Sequence, residues 1–176
     1  MINEQNTAAG SLAEQTAVSK YVWQIPNSYI ALDLETTGLN PKRDKMIEIG
    51  AVRVEDGAET GRFHAMLNPR RELEERITEL TGIRGDMLEN APDIVDILEE
   101  FLAFCGELPL LGHRIIFDYS FVKRAAVNQG LAFEKNGIDT LTLCRRFMPA
   151  EESKRLGAAC AFYGLAQESA HRALGD

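Results

Sequence analysis

"YIALDLETTGLN" (residues 29–40) begins as a buried strand and then departs from one. Tyr29, Ile30, Ala31 and Leu32 form an apolar run, after which two carboxylates, Asp33 and Glu35, flank Leu34. Alternate residues of a strand face the same side, so both acids point into one small volume. Like charges held that close resist joint ionisation unless a cation lies between them. Either this strand end is exposed and the pairing is incidental, or it holds a metal.

Working outward, "MIEIGAVRVEDG" from Met46 alternates in the manner of a second strand, with "EDG" at 55–57 as a hairpin turn signal. "GRFHAMLN" from Gly61 supplies a third strand, so the opening reads as an antiparallel meander. The period then changes to 3.6. "RELEERITELTG" predicts a short amphipathic helix stopped by Gly82, and "PDIVDILEEFLAFCG" a stronger one between Pro92 and Gly106. "LPLLGH" (108–113) predicts a short buried strand, "FDYSFVKRAAVNQG" (117–130) a helix, and Gly137–Asp139 a strand-like piece leading into "TLTLCRRFM". "SKRLGAACAFYG" (153–164) is a further helix with a glycine stop. Strands first, then helices alternating with short strands, gives an α/β sandwich around a mixed sheet.

The 176 residues suit one domain with a sizeable core, and 45% hydrophobic with 26% charged residues is ordinary for a soluble globular protein. No apolar run approaches the ~18 residues that would span a bilayer, and no membrane role is expected. Residues 1–20 lack the pattern of a signal peptide and read as a polar tail ahead of a single domain at 21–176. Cys105, Cys144 and Cys160 are odd in number and widely spaced, which fits core-filling thiols in a reducing, cytoplasmic setting. Taken alone, the net charge of −8 argues against a non-specific nucleic-acid binder, though not against an enzyme that grips a few phosphates locally. Basic pairs are scattered, including Lys42-Arg43, Arg70-Arg71, Arg145-Arg146 and Lys154-Arg155. Some could line a phosphate track.

Two further acids sit where chemistry is plausible. Asp118 follows a predicted strand at the first turn of a helix, where an acid is also an ordinary stabilising choice. Asp176 closes the chain, five residues after His171; on one continuous helix the two would not share a face.

Read together, "DLETTGLN", "GHRIIFDYSFVKR" and "HRALGD" resemble the three exonuclease motifs of the DEDD superfamily, in its histidine-bearing branch. The best-known member of that branch is the proofreading subunit of bacterial DNA polymerase III. The resemblance runs from about residue 28 to the chain end, with "MIEIGAV", "LNP" and "LTGI" as intermediate agreements. It implies a ribonuclease H-like fold and a role for each acid. Asp33 would bridge two divalent metals, Glu35 and Asp176 would complete the first site, Asp118 would bind the second, and His171 would be the general base. Oxygen-only ligands point to Mg²⁺ or Mn²⁺.

The implied reaction is 3′→5′ hydrolysis of single-stranded or mismatched DNA to 5′-mononucleotides, with a DNA polymerase subunit as candidate partner. RNA is the alternative substrate, since no reader of the 2′-OH is identifiable. A catalytically silent interaction module is the reading from another class. Thr36 with the backbone at Thr37 and Gly38 resembles the family's cradle for the terminal nucleotide, and Leu39 its apolar wedge against the last base. Phe117 reads equally as a base-stacking or a core residue. His113 is either a contact to the scissile nucleotide, the favoured reading, or a strand-end polar residue. Two departures stand out: Arg114 where the family commonly has Asn, and a chain that stops at Asp176 where relatives continue, as a truncated domain would.

Overall fold

The computed structural model describes residues 26–166 and Ala173. The tail expected at 1–20, together with His171 and Asp176, lies outside the described residues. β1 (Tyr29–Thr36), β2 (Met46–Glu55) and β3 (Ala58–Met66) form the expected antiparallel meander. Asp56 and Gly57 join β2 to β3 with φ of 51° and 80°, the left-handed pair that a two-residue hairpin turn requires. Because the turn is this tight, pairing resumes at once with Glu55 opposite Ala58, and β3 starts three residues before its expected beginning at Gly61.

Helices α1 (Glu75–Thr81), α2 (Gly85–Leu88) and α3 (Ile94–Cys105) follow. Gly82 ends α1 in the left-handed conformation, as its sequence predicts. α3 opens with a capping box: the Asp93 carboxylate accepts from Val95 N–H at 3.3 Å, and Asp96 accepts from Asp93 N–H at 2.9 Å. The start is thus set by Asp93, one residue after Pro92. Then come β4 (Leu110–Gly112), α4 (Ile116–Asn128), β5 (Gly137–Asp139), α5 (Thr140–Phe147) and α6 (Leu156–Tyr163).

The sheet order is β3-β2-β1-β4-β5, with β1, β4 and β5 parallel to one another. One face, carrying Ile30, Leu32 and Leu34 of β1 with Ile49 and Ala51 of β2, packs against Leu98, Phe101 and Cys105 of α3 and Phe121, Val122 and Ala126 of α4. That leaves Asp33 and Glu35 on the opposite face. The register sets Asp33 across from Gly50 and Glu35 across from Glu48. All three cysteines are free; Cys105 and Cys144 are buried as expected, and Cys160 is half-buried. Among the described residues, no helix is long and apolar enough to cross a membrane.

Candidate active site

The site begins where β1 and β4 part. Ile30 N–H donates to Pro109 O at 2.8 Å, and the strands remain close because Gly112 lacks a side chain: a Cβ there would sit 2.8 Å from Leu32 O. β4 then ends, and Leu34 N–H, on the same edge of β1, has no strand to meet. A buried amide must find a partner. It donates to Asp118 Oδ1 at 3.1 Å, which draws the first turn of α4 to the end of β1. Asp118 is only 3% exposed, and burial pushes its carboxyl up from 3.8 to about 7, against the opposing effect of its own and the Leu34 amide. Asp33 and Glu35 thus flank Leu34 on one face of β1, and Asp118 reaches the amide of that intervening residue from α4.

The loop after β1 is built by its own polar atoms. Thr36 Oγ1 donates to Gly38 O at 2.7 Å. Thr37 is tied to Lys45 through both its N–H, which donates to Lys45 O at 2.8 Å, and its hydroxyl, which accepts from Lys45 N–H at 3.0 Å. The Arg71 guanidinium also donates to that hydroxyl and lies 3.3 Å from Asp44 Oδ1. Asn40 N–H donates to Asp44 Oδ2 at 2.8 Å and, with Arg71 alongside, holds the Asp44 carboxyl below its usual range. Gly38 lies against that carboxylate: a Cβ there would come within 2.5 Å of Asp44 Oδ2. The result is a cleft of about 940 Å³ whose lining includes Glu35, Thr36, Gly38, Leu39 and Phe117. Leu39 is 82% exposed at its rim. Thr37 is buried with its polar atoms engaged inside the loop, so it shapes the cleft rather than lining it.

Phe117 packs on Phe121 with ring centroids 5.0 Å apart, and its position also places it in the wall of the cleft. The His113 ring bridges neighbouring elements. Nδ1 is 3.1 Å from Thr140 Oγ1 and Nε2 2.8 Å from Lys154 O, so the ring ties β4 to α5 and to the segment before α6. Arg114 N–H donates to Asp139 Oδ1 at 2.8 Å, and its backbone is left-handed at φ 70°. Asparagine tolerates that conformation better than arginine does, which gives a physical reason for the family's residue at this position.

One buried carboxylate was missed by sequence reasoning. Glu48, 1% exposed and cross-strand from Glu35, lies 2.7 Å from His64 Nε2 and accepts from Ala173 N–H at 3.2 Å. A lone acid inside the otherwise apolar "MIEIGAV" was the available signal. Arg71 is named in sequence only as one of the scattered basic pairs, and its partners Thr37 and Asp44 were not foreseen because they are far from it in sequence.

The family model RNase_T, described as Exonuclease, matches residues 30–176. The chain belongs to this exonuclease family. The exonuclease domain is 39% identical over 150 residues to the PolC-type DNA polymerase III of Thermotoga petrophila, covering 85% of this chain and 11% of that one. It is 39% identical over 152 residues to the PolC-type DNA polymerase III of Bacillus subtilis, covering 85% and 10%. The chain thus spans about a tenth of the length of these curated relatives.

Among solved structures it resembles exonuclease X in complex with 5′-overhanging duplex DNA, with a TM-score of 0.65 and 24% identity over 84% of this chain and 82% of that one. It also resembles the nuclease domain of 3′hExo, a DEDDh family member, bound to rAMP, with a TM-score of 0.70 and 19% identity over 85% and 86%. At these identities the likeness shows the fold, and it is the ribonuclease H-like fold expected from the sequence.

Proposed function

We propose that the exonuclease domain removes nucleotides from the 3′ end of single-stranded or mismatched DNA in proofreading or repair, using Asp33, Glu35, Asp118, His171 and Asp176. The observation that carries this reading is the buried Asp118 carboxylate, seated on Leu34 N–H beneath the strand end that bears Asp33 and Glu35. A carboxylate that burial drives toward neutrality, beside two more acids, is an environment that favours a bound cation. The donors are all hard oxygens, which fits Mg²⁺ or Mn²⁺. Among the described residues no ready cluster of three metal-binding side chains forms; the ligand set proposed here includes Asp176, outside them.

Asp33, Glu35, Asp118 and Asp176 would hold two divalent ions, which when bound supply charge stabilisation for an in-line displacement at phosphorus. The protein's own part is positional. The Leu34 amide fixes the Asp118 carboxylate, and the meander fixes the separation of Asp33 and Glu35. The 3′-terminal nucleotide enters the cleft beside Glu35, against Thr36 and Gly38, with Leu39 at the last base and Phe117 on the cleft wall. His171 takes the proton of the attacking water. Fraying a terminal base pair costs least at a mismatch, which favours mispaired ends. The 39% identity to PolC-type polymerases supports DNA as the substrate and a replicative polymerase as the functional setting.

The test is degradation of a 5′-labelled, 3′-mismatched DNA primer with Mg²⁺ or Mn²⁺, beside Asp33→Ala and beside a ribo-oligonucleotide of the same sequence. A metal-dependent ladder shortening from the 3′ end, absent in the variant, is expected. A ladder on RNA alone would transfer the activity to RNA, and no ladder on either would leave the silent interaction module.

A further inference from the structure

A shallow depression of about 420 Å³ beside the site is lined by Arg114, Arg145, Lys154 and Arg155 together with His113 and Leu156. The cations come from three places in the fold: the left-handed residue after β4, the last turn of α5, and the segment entering α6. Among the described residues no carboxylate lines the depression, in a chain whose net charge is −8. Many arginines elsewhere pair: Arg53, Arg62, Arg70, Arg71, Arg76 and Arg84 each have an acidic partner. Among the described residues, Arg114, Arg145 and Arg155 have no ion-pair partner. Asp139, next to Arg114 in space, directs its carboxylate to the amides of Arg114 and Leu141 and to the Thr142 hydroxyl. Lys154 is occupied in holding the carbonyls of Pro149, Ala150 and Glu152. Three arginines thus line one depression with no ion-pair partner among the described residues.

The position of the depression gives it a use. It shares His113 and Leu156 with a cavity of about 210 Å³ that includes Asp33, so it adjoins the Asp33 side of the site. The Leu39 cleft lies at the other end of the site, where Glu35 rather than Asp33 forms part of the wall. Apart from the scissile phosphate, which leaves with the terminal nucleotide, a strand digested from its 3′ end has its phosphates on the 5′ side of the scissile bond. With the terminal nucleotide in the Leu39 cleft, the remaining strand must leave past Asp33. We infer that Arg114, Arg145 and Arg155 form a phosphate-binding track for the nucleic-acid strand on the 5′ side of the scissile bond. Guanidinium forks suit phosphodiester oxygens and carry no base information, as a sequence-tolerant nuclease requires. The inference rests on the exonuclease reading above.

The test is the double variant Arg145→Ala/Arg155→Ala in the full chain, assayed on two substrates with Mn²⁺. One is a single-stranded DNA oligonucleotide. The other is the p-nitrophenyl ester of thymidine 5′-monophosphate, which has a scissile phosphate and nothing on its 5′ side. The oligonucleotide KM is expected to rise about tenfold, with its salt dependence reduced by roughly 0.7 in log–log slope for each phosphate no longer neutralised. Its kcat and all constants for the ester are expected to stay unchanged. Unchanged oligonucleotide KM and salt slope, with ester hydrolysis intact, would overturn the track while leaving the exonuclease reading in place. Wild-type protein inert on both substrates would overturn both. Calorimetric binding of inorganic phosphate alone, abolished in the variant while oligonucleotide KM holds, would assign the depression to free anions and overturn the strand track.

Discussion

Asp118→Asn should make the metal-free protein more stable at alkaline pH, although it removes a group the proposed chemistry needs. Burial raises the Asp118 carboxyl from 3.8 to about 7, a rise of about three pH units, and at ~1.4 kcal/mol each this amounts to about 4 kcal/mol. The sign follows from linkage. A carboxyl whose folded value lies above its unfolded value is held best when protonated, so its stabilisation is complete below about pH 4 and is lost as pH rises through about 7. Asparagine keeps an oxygen for Leu34 N–H and never ionises, but its amide nitrogen needs a partner in a buried place, costing about 1–3 kcal/mol.

The variant should therefore be level with wild type or weaker near pH 4.5, and more stable by about 2 kcal/mol at pH 8. Urea denaturation with a chelator present, at several pH values between these, measures the difference directly. Saturating Mg²⁺ or Mn²⁺ should then raise wild type at pH 8 and leave the variant behind, because a cation compensates the carboxylate and has less to gain from an amide. A stability difference that does not change with pH would refute the reasoning from buried charge.

Three other substitutions separate function from structure. Leu39→Ala removes an exposed side chain, so stability should stay within about 0.5 kcal/mol while oligonucleotide KM rises several-fold, read by denaturation and steady-state kinetics on one preparation. Glu48→Ala leaves Ala173 N–H and the His64 ring without their acceptor and opens a void, which should cost about 2–4 kcal/mol in urea; Glu48→Gln should recover much of that loss. Arg114→Asn relieves a left-handed arginine and should add about 1 kcal/mol, seen as a Tm higher by about 2–4 °C, while weakening oligonucleotide binding at low salt.

The parts of the fold legible in sequence are those written in local pattern. Alternation in 46–54 and the Asp56-Gly57 turn give the meander, and Gly82 and Gly106 mark helix ends. α2 escaped because a single turn of four residues has no period to detect. The parallel meeting of Ile30 with Leu110 is a non-local event, and the placement of Asp118 depends on it. From its own stretch Asp118 reads as an ordinary first-turn acid. Only the end of β4 shows what it is needed for. His113 is a second non-local case: its ring nitrogens lie within hydrogen-bond distance of groups 27 and 41 residues onward, contacts that no local pattern announces.

These two residues point to a single cause for where the acids stand. A short β4 stops beside the middle of β1, exposing one edge amide that no strand can satisfy. A hydroxyl from α4 could have accepted that hydrogen bond at less cost in a buried position, because it adds no charge. A carboxylate instead, with two more on the strand that carries Leu34, costs the metal-free fold stability, a cost that a cation would offset under the proposed function. The fold thus tolerates at Leu34 an arrangement that stability alone would reject, and the penalty it carries without metal is what the Asp118→Asn experiment measures.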